Sequence, residues 1–112
     1  MPILFKDSFE RILDKTSRYL PFDELELVRR AYEFTQNCYR GKNLFRLSGE
    51  PAIVHALEVA DKLAEWRLDG ATVSAGILHD TIEDPEIHVM QLRATFHDKI
   101  AFLVEGVSKL KD

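Results

Sequence analysis

The sequence predicts an all-α fold, a single bundle of about six helices spanning residues 1–112, and three observations carry that prediction. Apolar residues recur at spacings of three and four, few residues favour strands, and 112 residues contain only five Gly and four Pro to interrupt helices. With 46% hydrophobic residues, a chain of this size suits one compact core that needs neither metal nor disulfide as a staple. A metal bound here would therefore serve function.

The elements follow in order. Asp7 suits the cap of a first helix reaching about Arg18, with Phe9, Ile12 and Leu13 turned inward. Pro21 ends the approach to a second helix, which Asp23 caps. That helix runs to about Tyr39 on a stripe of Leu27, Val28, Ala31, Phe34, Thr35 and Cys38, and Gly41 supplies the stop. Residues 41–50 form a loop. Pro51 fits the first turn of a third helix, where its missing N–H is no loss, and Ile53, Leu57, Ala60, Leu63 and Ala64 give that helix its core stripe. Asp69-Gly70 breaks the chain. A fourth helix carries Val73, Ala75, Gly76, Ile77, Leu78 and Ile82 and is expected to run to Asp84, because Pro85 pushes the residue before it out of the helical region. A fifth helix from about Val89 to Phe96 and a sixth from about Asp98 to Leu110 complete the bundle.

Charge and composition exclude several classes of function. Fifteen Lys plus Arg against nineteen Asp plus Glu leave a net charge of −4, the wrong sign for binding nucleic acid through overall charge. No stretch approaches the length of an apolar membrane span, and the start, Met1 to Asp7, lacks the charged lead and apolar run of a secretory leader, so a cytoplasmic protein without a membrane partner is expected. The single cysteine, Cys38, can neither close an intrachain disulfide nor build a thiolate zinc site.

The chemistry concentrates in His79-Asp80-Thr81-Ile82-Glu83-Asp84. On a continuous helix Glu83 lies one turn beyond His79 and Asp80, and Asp84 one turn beyond Asp80, so that all four ionisable groups can face one cavity. Chance alone puts roughly 0.3 His-Asp pairs in such a chain, so the pair by itself is a weak signal. A second pair, His97-Asp98, sits at a helix junction where Asp98 reads as an N-cap. Physical cost separates the two. Asp80, Glu83 and Asp84 crowd like charges at the carboxyl end of a helix, where the macrodipole also disfavours anions by some tenths of a kcal/mol each, about 0.3 or more. A divalent cation would offset this, and imidazole with carboxylate suits manganese, iron or zinc. His55, beside the apolar stripe of the third helix, is either a hydrogen-bonded core histidine or a further ligand; His88 has no assigned role. Arg40, Lys42 and Arg46 concentrate positive charge in the loop before it: either a solvated basic loop or an anion site, in which the guanidinium of Arg46 could meet a phosphate or stack on a purine and the hydroxyl of Ser48 could meet a ligand or cap a helix.

These residues resemble a known family. Arg46-Leu47-Ser48-Gly49-Glu50-Pro51 leading to His55, then Ile77 to Asp84, then Leu103-Val104-Glu105-Gly106-Val107-Ser108-Lys109-Leu110, are similar in order and separation to the HD-type hydrolase domain of RelA/SpoT proteins, from about Val28 to Lys111. The resemblance implies an HD-type helical bundle that removes the 3′-pyrophosphate of the alarmones ppGpp and pppGpp in the stringent response, leaving GDP or GTP. It implies Mn2+ held by His55, His79 and Asp80, with Glu83 and Asp84 acting on the attacking water and Arg46 and Ser48 meeting the guanine nucleotide. It also implies further domains and a last aspartate ligand downstream of Leu110, so that the chain reads as an amino-terminal fragment of a hydrolase or bifunctional synthetase/hydrolase, with an incomplete site as it stands. The sequence departs from the family at Leu47, Ala52 and Pro85, where a basic residue, an aromatic and a threonine are common. Another nucleotide phosphohydrolase of the HD type, or a regulatory module with a vestigial site, are the competing readings.

Overall fold

A computed structural model describes residues 2–39, 52–83 and 87–110, and among these there are six α-helices and no strand. They are α1 (Pro2–Ser17), α2 (Phe22–Tyr39), α3 (Ala52–Glu65), α4 (Gly70–Leu78), α5 (Val89–Thr95) and α6 (Asp98–Leu110), with a short 3-10 turn at Thr81–Glu83. Pro51 and the loop 41–50 lie outside the described residues.

Every residue of α4 except Thr72 is buried, because its run Val73-Ser74-Ala75-Gly76-Ile77-Leu78 has no polar face to show to water. The other helices assemble around it: α2, α3 and α6 pack on α4, α1 covers α3 and α2, and α5 folds back on α6. The stripes expected from spacing form the core, with Phe9, Ile12, Val28, Ala31, Ile53, Leu57, Ala60 and Ala64 all buried. Phe9 stacks on Tyr32 with ring centroids 3.9 Å apart, joining α1 to α2. Lys15 and Asp61 form an ion pair at 2.9 Å between α1 and α3.

Five helix ends differ from the expectation, the last at the α5–α6 junction. First, α1 begins at Pro2, so Asp7 lies inside the helix, exposed, and caps nothing; proline at a helix start sacrifices no hydrogen bond. Second, α2 begins at Phe22. The Pro21 carbonyl accepts the N–H groups of Glu24 and Leu25 at 3.1 and 3.0 Å, which places Asp23 in the first turn, where its charge favours the dipole without capping.

Third, the break between α3 and α4 is made at Arg67. Leu68 N–H donates to Leu63 O at 3.1 Å and Arg67 N–H to Ala64 O at 3.0 Å, the paired bonds of a Schellman stop, with Arg67 at φ 60° where glycine is usual. Asp69 then caps α4 by accepting Thr72 N–H at 2.9 Å, and Lys99 reaches across from α6 to the same carboxylate at 2.7 Å.

Fourth, α4 stops at Leu78, well short of Asp84, and His79 and Asp80 occupy a turn that leads into the 3-10 segment. The α-helical placement of Glu83 relative to His79 and Asp80 does not apply, and Asp84 lies outside the described residues. At that end Thr81 Oγ1 donates to the Leu78 carbonyl at 2.7 Å, satisfying one of the carbonyls the helix end leaves without a partner. At the α5–α6 junction, His97 is the capping residue, with Nδ1 accepting Ile100 N–H at 3.3 Å; Asp98 sits in the first turn and pairs with Arg93 at 3.3 Å.

Candidate metal centre

His55 comes from α3 and His79 from the end of α4, so their meeting depends on how closely those helices approach. At that contact Gly76 of α4 faces Ala60 and Leu63 of α3: a Cβ there would sit at ordinary contact distance, 3.5 Å, from Ala60 Cα and 2.7 Å from the side-chain tip of Leu63, Cδ1. One turn further on, the His55 and His79 rings stand edge to face with centroids 5.4 Å apart and planes at 68°. One ligand atom from each of His55, His79 and Asp80 can be chosen so that all three lie within 4.8 Å of one another, close enough to surround one metal ion.

The orientation of His79 is set by the backbone. Its Nδ1 lies 2.7 Å from the Gly76 carbonyl, which can only accept, so Nδ1 carries the proton and Nε2 is turned the other way. Nε2 lies 3.3 Å from Asp80 Oδ1, and the two side chains are only 5% and 10% exposed. With a neutral imidazole, this sets a nitrogen lone pair against a carboxylate oxygen in a place that water barely reaches. A divalent ion between them offsets that repulsion. Two imidazoles and a carboxylate are the donor set of a borderline divalent ion, and a ring whose second nitrogen is anchored on a carbonyl is the usual form of a metal-binding histidine.

The structure therefore brings together His55, His79 and Asp80. Glu83 closes the 3-10 turn, but its side chain lies outside the described part, as do Asp84, Arg46 and Ser48 altogether. His97, from the second His-Asp pair, takes no part in the group and instead caps α6. The Gly76 carbonyl is the participant that residue patterns miss, since a backbone oxygen three residues upstream leaves no side-chain signature.

A helical bundle whose central helix delivers a His-Asp pair against a histidine of the neighbouring helix is the arrangement of an HD-type domain, and the sequence matches the HD domain family over residues 31–112. The chain belongs to that family. It is 42% identical over 106 residues to a GTP pyrophosphokinase of Myxococcus xanthus, covering 95% of this chain and 14% of that protein. It is 41% identical over 102 residues to the bifunctional (p)ppGpp synthase/hydrolase SpoT of Escherichia coli K12, and equally so to a guanosine-3′,5′-bis(diphosphate) 3′-pyrophosphohydrolase of Vibrio cholerae, covering 91% of this chain and 14% of each relative. The chain thus resembles RelA/SpoT proteins over most of its length while spanning about a seventh of theirs.

Proposed function

We infer that this domain hydrolyses the 3′-pyrophosphate of ppGpp and pppGpp with Mn2+ as its metal, giving GDP or GTP and pyrophosphate. The observation that carries the reading is the convergence of His55, His79 and Asp80 in a chain 41% identical to proteins named for that hydrolysis. When bound, a divalent ion supplies Lewis acidity toward a phosphoryl oxygen and lowers the pKa of water. His55, His79 and Asp80 would hold it, with the Gly76 carbonyl keeping His79 Nε2 turned toward the site.

Glu83 and Asp84 follow within four residues of Asp80, and one of their carboxylates would take the proton of the attacking water. The Arg46 guanidinium would pair with a phosphate or stack on the guanine, and Ser48 would donate its hydroxyl to the nucleotide. Among the described residues no helix is long and apolar enough to cross a membrane.

The test is Mn2+-dependent release of pyrophosphate from ppGpp by the chain extended downstream of Leu110, measured for the wild type and for Asp80→Ala and Asp98→Ala. Loss in the first with retention in the second supports the reading. Equal loss in both overturns the choice of motif. Metal-dependent hydrolysis of other nucleotides with ppGpp untouched would make this a different HD phosphohydrolase. Metal binding absent altogether, with no turnover, would favour a regulatory module.

A further inference from the structure

We propose that the hydroxyls of Thr81 and Thr35 are positioning groups for His79 and Asp80, setting the angle at which that pair leaves α4. The proposal rests on the metal-site reading of His79 and Asp80. Three successive carbonyls close α4, and each accepts from a side chain: Gly76 O from His79 Nδ1 at 2.7 Å, Ile77 O from Thr35 Oγ1 at 3.4 Å, and Leu78 O from Thr81 Oγ1 at 2.7 Å. All three donors are buried, the two threonines completely.

The geometry makes these bonds more than satisfied core polar groups. His79 and Asp80 form a two-residue span, and the Thr81–Leu78 bond pins the backbone on both sides of it. Thr35 reaches from α2 to the carbonyl one residue earlier and fixes the α4 terminus against a second helix. Without the Thr81 hydroxyl the buried Leu78 carbonyl loses a partner that water cannot readily replace. The last turn of α4 would then re-form to recover it, carrying His79 and Asp80 out of register with His55. The longer Thr35 contact is the weaker of the two, so Thr81 exerts the larger effect.

The experiment compares Thr81→Val, Thr81→Ser, Thr35→Val and Thr16→Val. Thr16 is the control: its equally buried hydroxyl donates to Ile12 O at 2.9 Å inside α1, away from α4. Co2+ binding is followed by its visible absorption, the His79 tautomer in metal-free protein by 15N NMR of the ring, and folding by circular dichroism. Thr81→Val is expected to stay folded, weaken Co2+ binding by about 10–100-fold as loss of an outer-shell partner does, and blur the single His79 tautomer. Thr81→Ser restores both, Thr35→Val falls between, and Thr16→Val changes stability alone.

Should Thr81→Val bind Co2+ like the wild type with His79 unchanged, or should Thr16→Val weaken binding as much as Thr81→Val does, the positioning role is wrong and the metal reading stands. If the wild type takes up no Co2+ while Thr81→Val still alters the His79 tautomer, the positioning role stands and the metal reading fails. If Thr81→Val unfolds, Thr35→Val and Thr81→Ser decide: wild-type affinity in the first, or no recovery in the second, overturns the proposal.

Discussion

The imidazoles of His55 and His79, contributed by two different helices, meet edge to face at 5.4 Å, and the Asp80 carboxylate lies 3.3 Å from the outward nitrogen of the second ring. Single substitutions His55→Ala, His79→Ala and Asp80→Ala should each weaken Mn2+ binding by more than the ~100-fold upper range of outer-shell changes, as read by calorimetric titration. His97→Ala and Asp98→Ala should leave that affinity within about twofold of wild type.

Acid should weaken the junction that starts α4. The Lys99 ammonium, and then Thr72 through its side chain and its N–H, lower the Asp69 carboxyl from 3.8 to about 2. A carboxylate favoured more in the folded than in the unfolded chain contributes stability that is fully present above pH 3.8 and lost as pH falls through about 2. Urea midpoints for wild type and Asp69→Asn should therefore differ at pH 5 and converge near pH 2. An unchanged gap would show that the pair contributes nothing through its charge.

Arg67 occupies a left-handed position at φ 60° while its guanidinium carbon sits 4.9 Å from the centre of the Tyr19 ring. Arg67→Ala keeps the backbone cost and removes the cation, and should destabilise by about 0.5–1 kcal/mol. Arg67→Gly removes both the cation and the cost of roughly 1 kcal/mol, so its stability should lie close to wild type. Thermal unfolding of the two variants separates these effects.

At Gly70 an added Cβ would lie 2.7 Å from Glu24 Cβ, and the Gly70 N–H donates to Glu24 Oε1 at 2.7 Å. Because the clashing atom is the first of its side chain, rotating Glu24 cannot clear it. Gly70→Ala should cost about 1–3 kcal/mol despite alanine's better helix propensity, measurable by chemical denaturation. Gly106→Ala, which meets no atom within 4 Å, should gain up to about 1 kcal/mol.

The helices and their inward faces were readable because burial imposes its period directly on the residues: the stripes of α2 and α3 and the almost wholly buried α4 lie where spacing places them. Helix ends were less readable. Asp7 and Asp23 have the chemistry of caps, but α1 has already begun at Pro2 and α2 at Phe22, where the Pro21 carbonyl accepts the first bonds. Asp69-Gly70 has the look of a helix stop, yet the stop is taken by Arg67, whose strain is offset by a ring that lies far away in sequence.

The sequence alone determined which residue types could hold a metal, since His55, His79 and Asp80 stand out by chemistry and order. Whether they meet was decided by tertiary structure. That meeting depends on the packing of α3 against α4, on a carbonyl that selects one tautomer of His79, and on a helix that ends at Leu78 where the pattern alone would continue it. Each of these is a contact between groups whose partner is either backbone or distant in the chain, and periodicity, which records only what faces the core, carries no trace of it.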